Sequence, residues 1–433
     1  VEKFVKWLEE YYAPVATRIG DQRHLKAIRD GVVSLIPLLL MGSLFLIIAF
    51  PPIARLAEMV KPYVSALCSV NNATMGLMGL MASFSIAYSL AASYKMDSLG
   101  SALISVATFM LATPFTKDGN ITSAWMGSKG LFVAMLIAIF VVEVQRYMIK
   151  KNLVIRMPEG VPPAVARSFM SLAPGFICIT VVFLINSMLS LGASNVQDII
   201  YKILAAPLLS LGGSLPAFLL AIFFAQLLWS VGIHGAALVG GVMSPVYLTL
   251  AQQNAAAKAA GLAVPNIICQ QLWDVYGNIG GSGATFALAI MLVTIARSKQ
   301  LKALGKSAIG PAFFAINEPI IFGMPIVMNP VLMIPFIFAP IISITIAYFA
   351  IDAGLVDKLF AMAPWTTPPI VNAFIDAGDI RAAVLQLFCF CITGAIYYPF
   401  FKMWDAAKTR EELNAQQINY GDSLTSRGIN AGH

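Results

Sequence analysis

Two side chains are singled out by the company they lack. His234 is the only Asp, Glu, Lys, Arg or His between Lys202 and Lys258, and Glu318 is the only one between Lys306 and Asp352. An acid at the centre of a lipid-embedded helix costs about 2.5–3.5 kcal/mol, so such a residue normally faces a cavity and serves function. For His234 the bland alternative is a hydrogen bond that glues packed helices. For Glu318 that alternative is weaker, because a carboxylate needs a partner or water. Pro319 pushes the residue before it out of the α region, which places Glu318 at a break with backbone amides and carbonyls free. A carboxylate accepts hydrogen bonds strongly, and the adjacent Asn317 both donates and accepts. That combination suits a hydroxyl-rich solute. Either Glu318 or His234 could draw a proton from a substrate hydroxyl.

Aromatic side chains supply the other half of carbohydrate recognition, and Trp229, Trp273 and Trp365 are the candidates for stacking on a sugar face. Membrane-interface anchoring is the competing use of each. Trp273, beside Asp274, Asn278 and the glycine-rich run from Gly277 to Gly283, is expected to be the stacking ring. Trp365, in a proline-rich stretch near Asn372, comes next. Metal chemistry is not expected. Cys68, Cys178, Cys269, Cys389 and Cys391 all lie in apolar sequence without the polar context or paired spacing of a zinc site, so they read as small buried hydrophobes.

The elements that must position these residues are membrane helices. Of 433 residues 59% are hydrophobic and 11% charged, against about 25% charged in soluble domains. A soluble fold of that composition would expose apolar patches far larger than monomers tolerate. The formal charge of +7 comes in short runs beside apolar stretches, which is the positive-inside pattern rather than a nucleic-acid surface. Ten stretches are long or apolar enough to cross about 30 Å of hydrocarbon: 31–53, 73–94, 99–115, 123–142, 169–191, 205–233, 235–257, 284–296, 330–350 and 384–401. Alternating them from a cytoplasmic N-terminus puts the densest Lys/Arg segments, 143–156, 297–306 and the tail from Lys402, inside. Both termini are then cytoplasmic.

Two further apolar stretches are too broken to cross. Residues 309–328 contain Pro311, Asn317, Glu318, Pro319, Gly323 and Pro325, and residues 361–374 contain Pro364, Pro368, Pro369 and Asn372. Irregular backbone at membrane depth survives only when buried in protein or lining a wet cavity, so both are expected to be re-entrant hairpins. The expected fold is therefore an all-α integral membrane protein of about ten transmembrane helices plus two hairpins. Residues 1–30 form a cytoplasmic amphipathic segment, with Phe4, Trp7, Leu8, Tyr11 and Tyr12 near one face. A scaffold half (31–157 and 158–200) precedes a transport half (201–402) and a cytoplasmic tail (403–433); the resemblance described below makes these the dimerisation and sugar-binding halves. No apolar region for a cleavable leader follows Val1-Glu2-Lys3, so the first apolar stretch is expected to act as the insertion signal.

Gly232-Ile233-His234-Gly235, Asn317-Glu318-Pro319-Ile320-Ile321-Phe322-Gly323 and the opening 14–31 stretch resemble the membrane-embedded IIC component of the bacterial phosphoenolpyruvate-dependent sugar phosphotransferase system. Its lactose/cellobiose/diacetylchitobiose branch is the nearest, and the resemblance spans essentially the whole chain. The Asn-Glu-Pro block is specific; Gly-Ile-His-Gly alone is weak. The resemblance implies a homodimer in the bacterial cytoplasmic membrane. It implies inward movement of a disaccharide, of diacetylchitobiose or cellobiose type, coupled to phosphorylation by a partner IIB protein that carries phosphate on cysteine. No cofactor is implied. His234 and Glu318 become the pair at the reacting primary hydroxyl, with Asn317 lining the same pocket. Only a short polar tail follows Phe401, so the phosphoryl donor is expected on another chain. From the residues alone, a proton-coupled secondary sugar transporter would use one buried His and one buried Glu equally well. A channel is disfavoured, because proline-broken hairpins suit alternating access better than a ring-like filter.

Overall fold

All ten apolar stretches are helical over most of their length in the computed structural model, which describes residues 14, 18, 21–51, 54–115, 120–158, 160–192 and 194–429. The amphipathic face assigned to Phe4 through Tyr12 lies outside the described residues. Among the described residues, seven helical stretches are long and apolar enough to cross a membrane: Arg23–Ala49, Arg55–Ser93, Ser128–Lys150, Val165–Ser190, Gly235–Ala259, Pro330–Asp352 and Ile380–Ala415. The stretch expected as one span over 205–233 is instead a pair, Val196–Gly212 and Leu215–Ser230, bent by 75° and counting as an eighth crossing if taken together. Gly212, Gly213 and Ser214 sit at the bend, where glycine has little helix propensity. Two expected spans are short. Ser98–Ala112 has 15 residues and Phe286–Thr294 has 9, which at the helical rise reach about 22 and 14 Å. The glycine run before the second forms a loop and does not lengthen it.

Small residues set the packing in the first half. A Cβ on Gly31 would fall 2.5 Å from Ile86 Cγ1, and one on Gly79 would fall 2.5 Å from the Gly127 carbonyl oxygen. Helices without a hydrophobic driving force between them approach closely at such positions. The Pro163–Ser190 helix behaves oppositely. Phe176, Phe183, Leu184 and Met188 are exposed along it, an apolar surface suited to lipid or to another chain. The expected boundary at 200/201 falls within the Val196–Gly212 helical stretch. One apolar core runs through both halves, from Ala27 to Cys389.

The two broken regions take different forms. In the first, the Lys299–Phe313 helix is followed by a turn with Ala315 at φ +61° and by the short Glu318–Gly323 helix. The break thus falls just before Glu318, which opens the new helix with Pro319 behind it. Two acids of the Ile380–Ile429 helix hold the start of Lys299–Phe313. Asp405 accepts from the backbone N–H of Arg297 and Ser298, and Glu412 accepts from those of Lys299 and Gln300 and from the Ser298 hydroxyl. These bonds satisfy N–H groups that a helix N-terminus leaves unpaired.

In the second, the chain after Asp352 has no regular structure until Val371–Ala377, yet Leu359 to Ala363 are buried. Its polar backbone is satisfied group by group from around it. Phe360 and Ala361 N–H donate to the Asp376 carbonyl oxygen (2.8 and 3.1 Å), and Ala363 N–H donates to Asp376 Oδ1 (2.7 Å). Met362 N–H donates to Ser43 Oγ in the first half. Asn254 donates to the Leu359 carbonyl and Gln271 to that of Ala361, at 2.8 and 3.0 Å. Buried irregular backbone is tolerable on those terms.

Candidate functional site

His234 ends a tight turn in which Gly232 adopts φ +82°, and it caps the Gly235–Ala259 helix: its Nδ1 accepts from the Ala237 N–H at 3.1 Å. A neutral imidazole that accepts at Nδ1 carries its proton on Nε2. The cap therefore fixes the ring and leaves Nε2–H as a donor. Trp229 lies against the ring, centroid to centroid 4.3 Å. Gly235 must be glycine, since a Cβ there would fall 1.8 Å from the Ala225 carbonyl oxygen.

Asn317 is buried and its amide nitrogen is already committed. It donates to the Ser282 carbonyl oxygen at 2.6 Å and to Thr285 Oγ1 at 2.7 Å, tying the break before Glu318 to the glycine loop. That loop is bent through Gly280, Gly281 and Gly283, at φ +77°, +101° and +80°, a region open to glycine at no steric cost. Tyr397, on the C-terminal helix, donates to the Gly283 carbonyl at 2.7 Å.

These elements meet around a cavity of about 250 Å³ lined by Trp229, His234, Ala236, Asp274, Asn278, Gly281, Ser282, Ala315, Asn317, Glu318 and Trp365. Five expected site residues come together there, His234, Asn278, Asn317, Glu318 and Trp365, joined by Trp229, the other stacking candidate. The Asn278 Oδ1 is buried without a hydrogen-bond partner, an acceptor open to a ligand hydroxyl. Two carboxyls and an imidazole line the cavity with no Lys or Arg among them, so it suits a neutral, hydroxyl-bearing molecule.

Two expected site residues are elsewhere. Trp273 is 4% exposed and packs edge-on against Phe218 and Tyr247, at 6.2 Å from each. It sits next to Asp274 in the π-helical turn Trp273–Gly277, so the two side chains diverge, and Asp274 takes the cavity side. Asn278, four residues on, shares the face of Asp274. Asn372 is buried at the start of the Val371–Ala377 helix, where its Oδ1 accepts from the Ala373 N–H at 2.7 Å. The aromatic wall of the cavity comes from Trp229 and Trp365 instead.

Asp274 was legible by the same rule that selected its neighbours, because it is the only Asp, Glu, Lys, Arg or His between Lys258 and Arg297. Gln270 Nε2 donates to it at 3.1 Å.

The sequence profile of the family "Phosphotransferase system, EIIC" matches residues 29–340, which include the His234 turn and the Asn317–Gly323 block. The chain belongs to this family. Within it, the IIC component is similar to the Lichenan permease IIC component of Bacillus subtilis (strain 168), 46% identical over 95% of this chain and 96% of the relative. It is also similar to the PTS system cellobiose-specific EIIC component of Geobacillus stearothermophilus, 45% identical over 98% and 99%. The crystal structure of the transporter ChbC, the IIC component from the N,N'-diacetylchitobiose-specific phosphotransferase system, matches with a TM-score of 0.90. That match has 46% identity and covers 94% of this chain and 99% of ChbC. This IIC component is thus a multi-pass membrane protein of the lactose/cellobiose/chitobiose family and a sugar permease of the phosphotransferase system.

Proposed function

We propose that this IIC component binds a disaccharide of cellobiose or diacetylchitobiose type in the Trp229–Trp365 cavity and presents its primary hydroxyl to a phosphorylated IIB partner. The observation that carries the reading is the convergence of His234, Asn278, Asn317, Glu318 and Trp365 on one cavity. Its support in sugar class is the naming of the relatives for lichenan, cellobiose and diacetylchitobiose. The protein acts as a homodimer in the bacterial cytoplasmic membrane, its two shorter helices and bent pair completing ten passes with both termini inside.

In this reading Glu318 accepts the proton of the sugar hydroxyl as that oxygen attacks phosphorus. The sulfur–phosphorus bond of the IIB phosphocysteine breaks and the thiolate leaves. His234, a donor at Nε2, hydrogen-bonds a sugar oxygen and orients it; Glu318 is then the better-placed base of the two. Asn317 positions Glu318 by pinning the break, and Trp365 covers an apolar sugar face. The product carries about two negative charges beside Glu318 and Asp274 with no cation in the lining, so repulsion favours its departure.

The test pairs equilibrium sugar binding on purified protein with sugar-phosphate formation in vesicles supplied with phosphorylated IIB. Glu318→Gln keeps shape and one acceptor, so binding should fall modestly. Phosphorylation should drop by about 10²–10⁴, the usual value of general-base help. His234→Ala should impair both, and sugar phosphate should compete weakly with free sugar. Wild-type phosphorylation in Glu318→Gln would end its catalytic role. Uptake of unmodified sugar that collapses with the proton gradient would replace this reading with a secondary transporter.

A further inference from the structure

A second polar cavity lies at the opposite kind of address, where the Met78–Ser93, Ser98–Ala112, Leu131–Lys150 and Pro163–Ser190 helices end together. It measures about 540 Å³, and its lining includes Tyr88, Lys95, Asp97, Ser98, Gln145 and Arg167. Lys95, at φ +57° in the turn, and Arg167 are exposed and form no ion pair among the described residues. Asp97 is the single acid, so the lining keeps one net positive charge. The Ser98–Ala112 helix starts at this cavity without a side-chain cap hydrogen bond, the Asp97 carboxylate lying against Gly100 in its first turn.

The decisive group is Gln145. It is 2% exposed, and its Oε1 accepts from Ser101 Oγ at 2.6 Å, while Nε2 is buried with no partner. With the amide turned over, Ser101 would take the N–H and the oxygen would be the orphan. Either way a buried polar atom at this cavity is left to be satisfied by something the chain does not contain.

The walls say what kind of molecule that is. Tyr88 also belongs to an apolar cleft of about 650 Å³ between the first helices and Met78–Ser93, lined by Leu35, Leu38, Met81, Phe84 and others. The one acid in that cleft, Asp30, is paired with Arg29 at 2.9 Å. A polar chamber of net positive charge thus adjoins a greasy channel across one tyrosine.

We propose that an anionic phospholipid with a hydroxyl-bearing headgroup, of phosphatidylglycerol type, binds here. Its phosphodiester sits between Lys95, Arg167 and the start of the Ser98–Ala112 helix. Its headgroup hydroxyls meet Asp97 and Gln145, and one acyl chain lies in the cleft beyond Tyr88. A singly charged phosphodiester matches the net charge of the lining, and a free phosphate would leave the cleft empty. The proposal is independent of the sugar reading.

The test is native mass spectrometry of the purified full-length protein with phosphatidylglycerol, phosphatidylcholine or inorganic phosphate. Phosphatidylglycerol should stay bound where phosphatidylcholine is lost. Lys95→Gln and Arg167→Gln, both surface changes, should each weaken retention about fivefold, the weight of one cation at an anionic surface. Equal retention of the two lipids, or undiminished retention in the double variant, overturns the site. Displacement of the lipid by millimolar inorganic phosphate makes it a free-anion site and overturns the lipid. Efficient cross-linking of Ser89→Cys between two copies in membranes would show the cleft sealed by a second chain, which also overturns it.

Discussion

Trp273 and Trp365 look alike in sequence, each upstream of an asparagine and near backbone breakers, and the fold gives them opposite surroundings. Trp273 is enclosed by Phe218 and Tyr247, whereas Trp365 is 54% exposed at the cavity. Trp273→Ala should lower thermal stability, with about 3–5 kcal/mol for emptying a core site, and should leave sugar affinity unchanged in the molecules that fold. Trp365→Ala should leave stability nearly alone and weaken binding by about 1–3 kcal/mol, the range for losing a buried aromatic contact. Melting curves and titration on both variants decide the matter, and the reverse pattern would restore Trp273 to the sugar. Isolation of charge was the signal that worked at this scale: His234, Asp274 and Glu318 each stand alone in a long uncharged stretch, and all three line one cavity. Aromatic identity was a poor signal, because facing depends on helical phase within a turn that sequence spacing did not resolve.

Among the elements, those that shape the site are the ones least like a membrane helix. The glycine loop, the break before Glu318 and the turn before His234 are each short; the first two are fixed by hydrogen bonds from distant sequence, and the third is held locally by the Ala237 N–H on His234. Prolines and glycines announced where the backbone breaks, but not what it then does. At 309–328 the backbone forms two helices around a turn, and at 361–374 an irregular run, buried only at its start, leads into a short helix. The glycine loop offers a sharp test. At Gly281 a Cβ would fall 2.4 Å from Asn317 Cγ and 2.8 Å from the Ala315 carbonyl oxygen, on a backbone at φ +101°. Gly281→Ala should destabilise the protein by at least the ~1–3 kcal/mol of a strained backbone. It should also abolish sugar binding, by displacing Asn317 and with it Glu318. Wild-type affinity in Gly281→Ala would show that the loop does not position the site.

For the whole molecule, the membrane class and the order of its segments were legible from hydropathy, since all ten apolar stretches are helical. The number that cross unaided was not, because 9 residues in Phe286–Thr294 and the 75° bend at 213–214 depend on neighbours that hydropathy ignores. The Lys/Arg bias leads us to expect both termini inside, which is open to direct measurement. Cysteines introduced at Lys3 and Ser423 should resist an impermeant thiol reagent in intact cells and react once the membrane is opened. Labelling of either from outside would invert the topology and turn the Lys95–Arg167 chamber toward the exterior.

The unstructured run from Leu359 to Ala363 has a consequence in time rather than in space. Every donor and acceptor named along it is held by a side chain or carbonyl belonging to another segment: Ser43, Asn254, Gln271 and Asp376. A helix frays from its ends one bond at a time, but here no bond can open without separating whole elements from one another. Amide deuterium uptake at Phe360 to Ala363 should therefore be as slow as in the middle of a buried helix, and it should switch on together rather than residue by residue. Rapid, graded uptake across those four amides would mean the segment opens locally after all. Slow, concerted uptake would make this loop the best-placed reporter of large-scale opening in the protein.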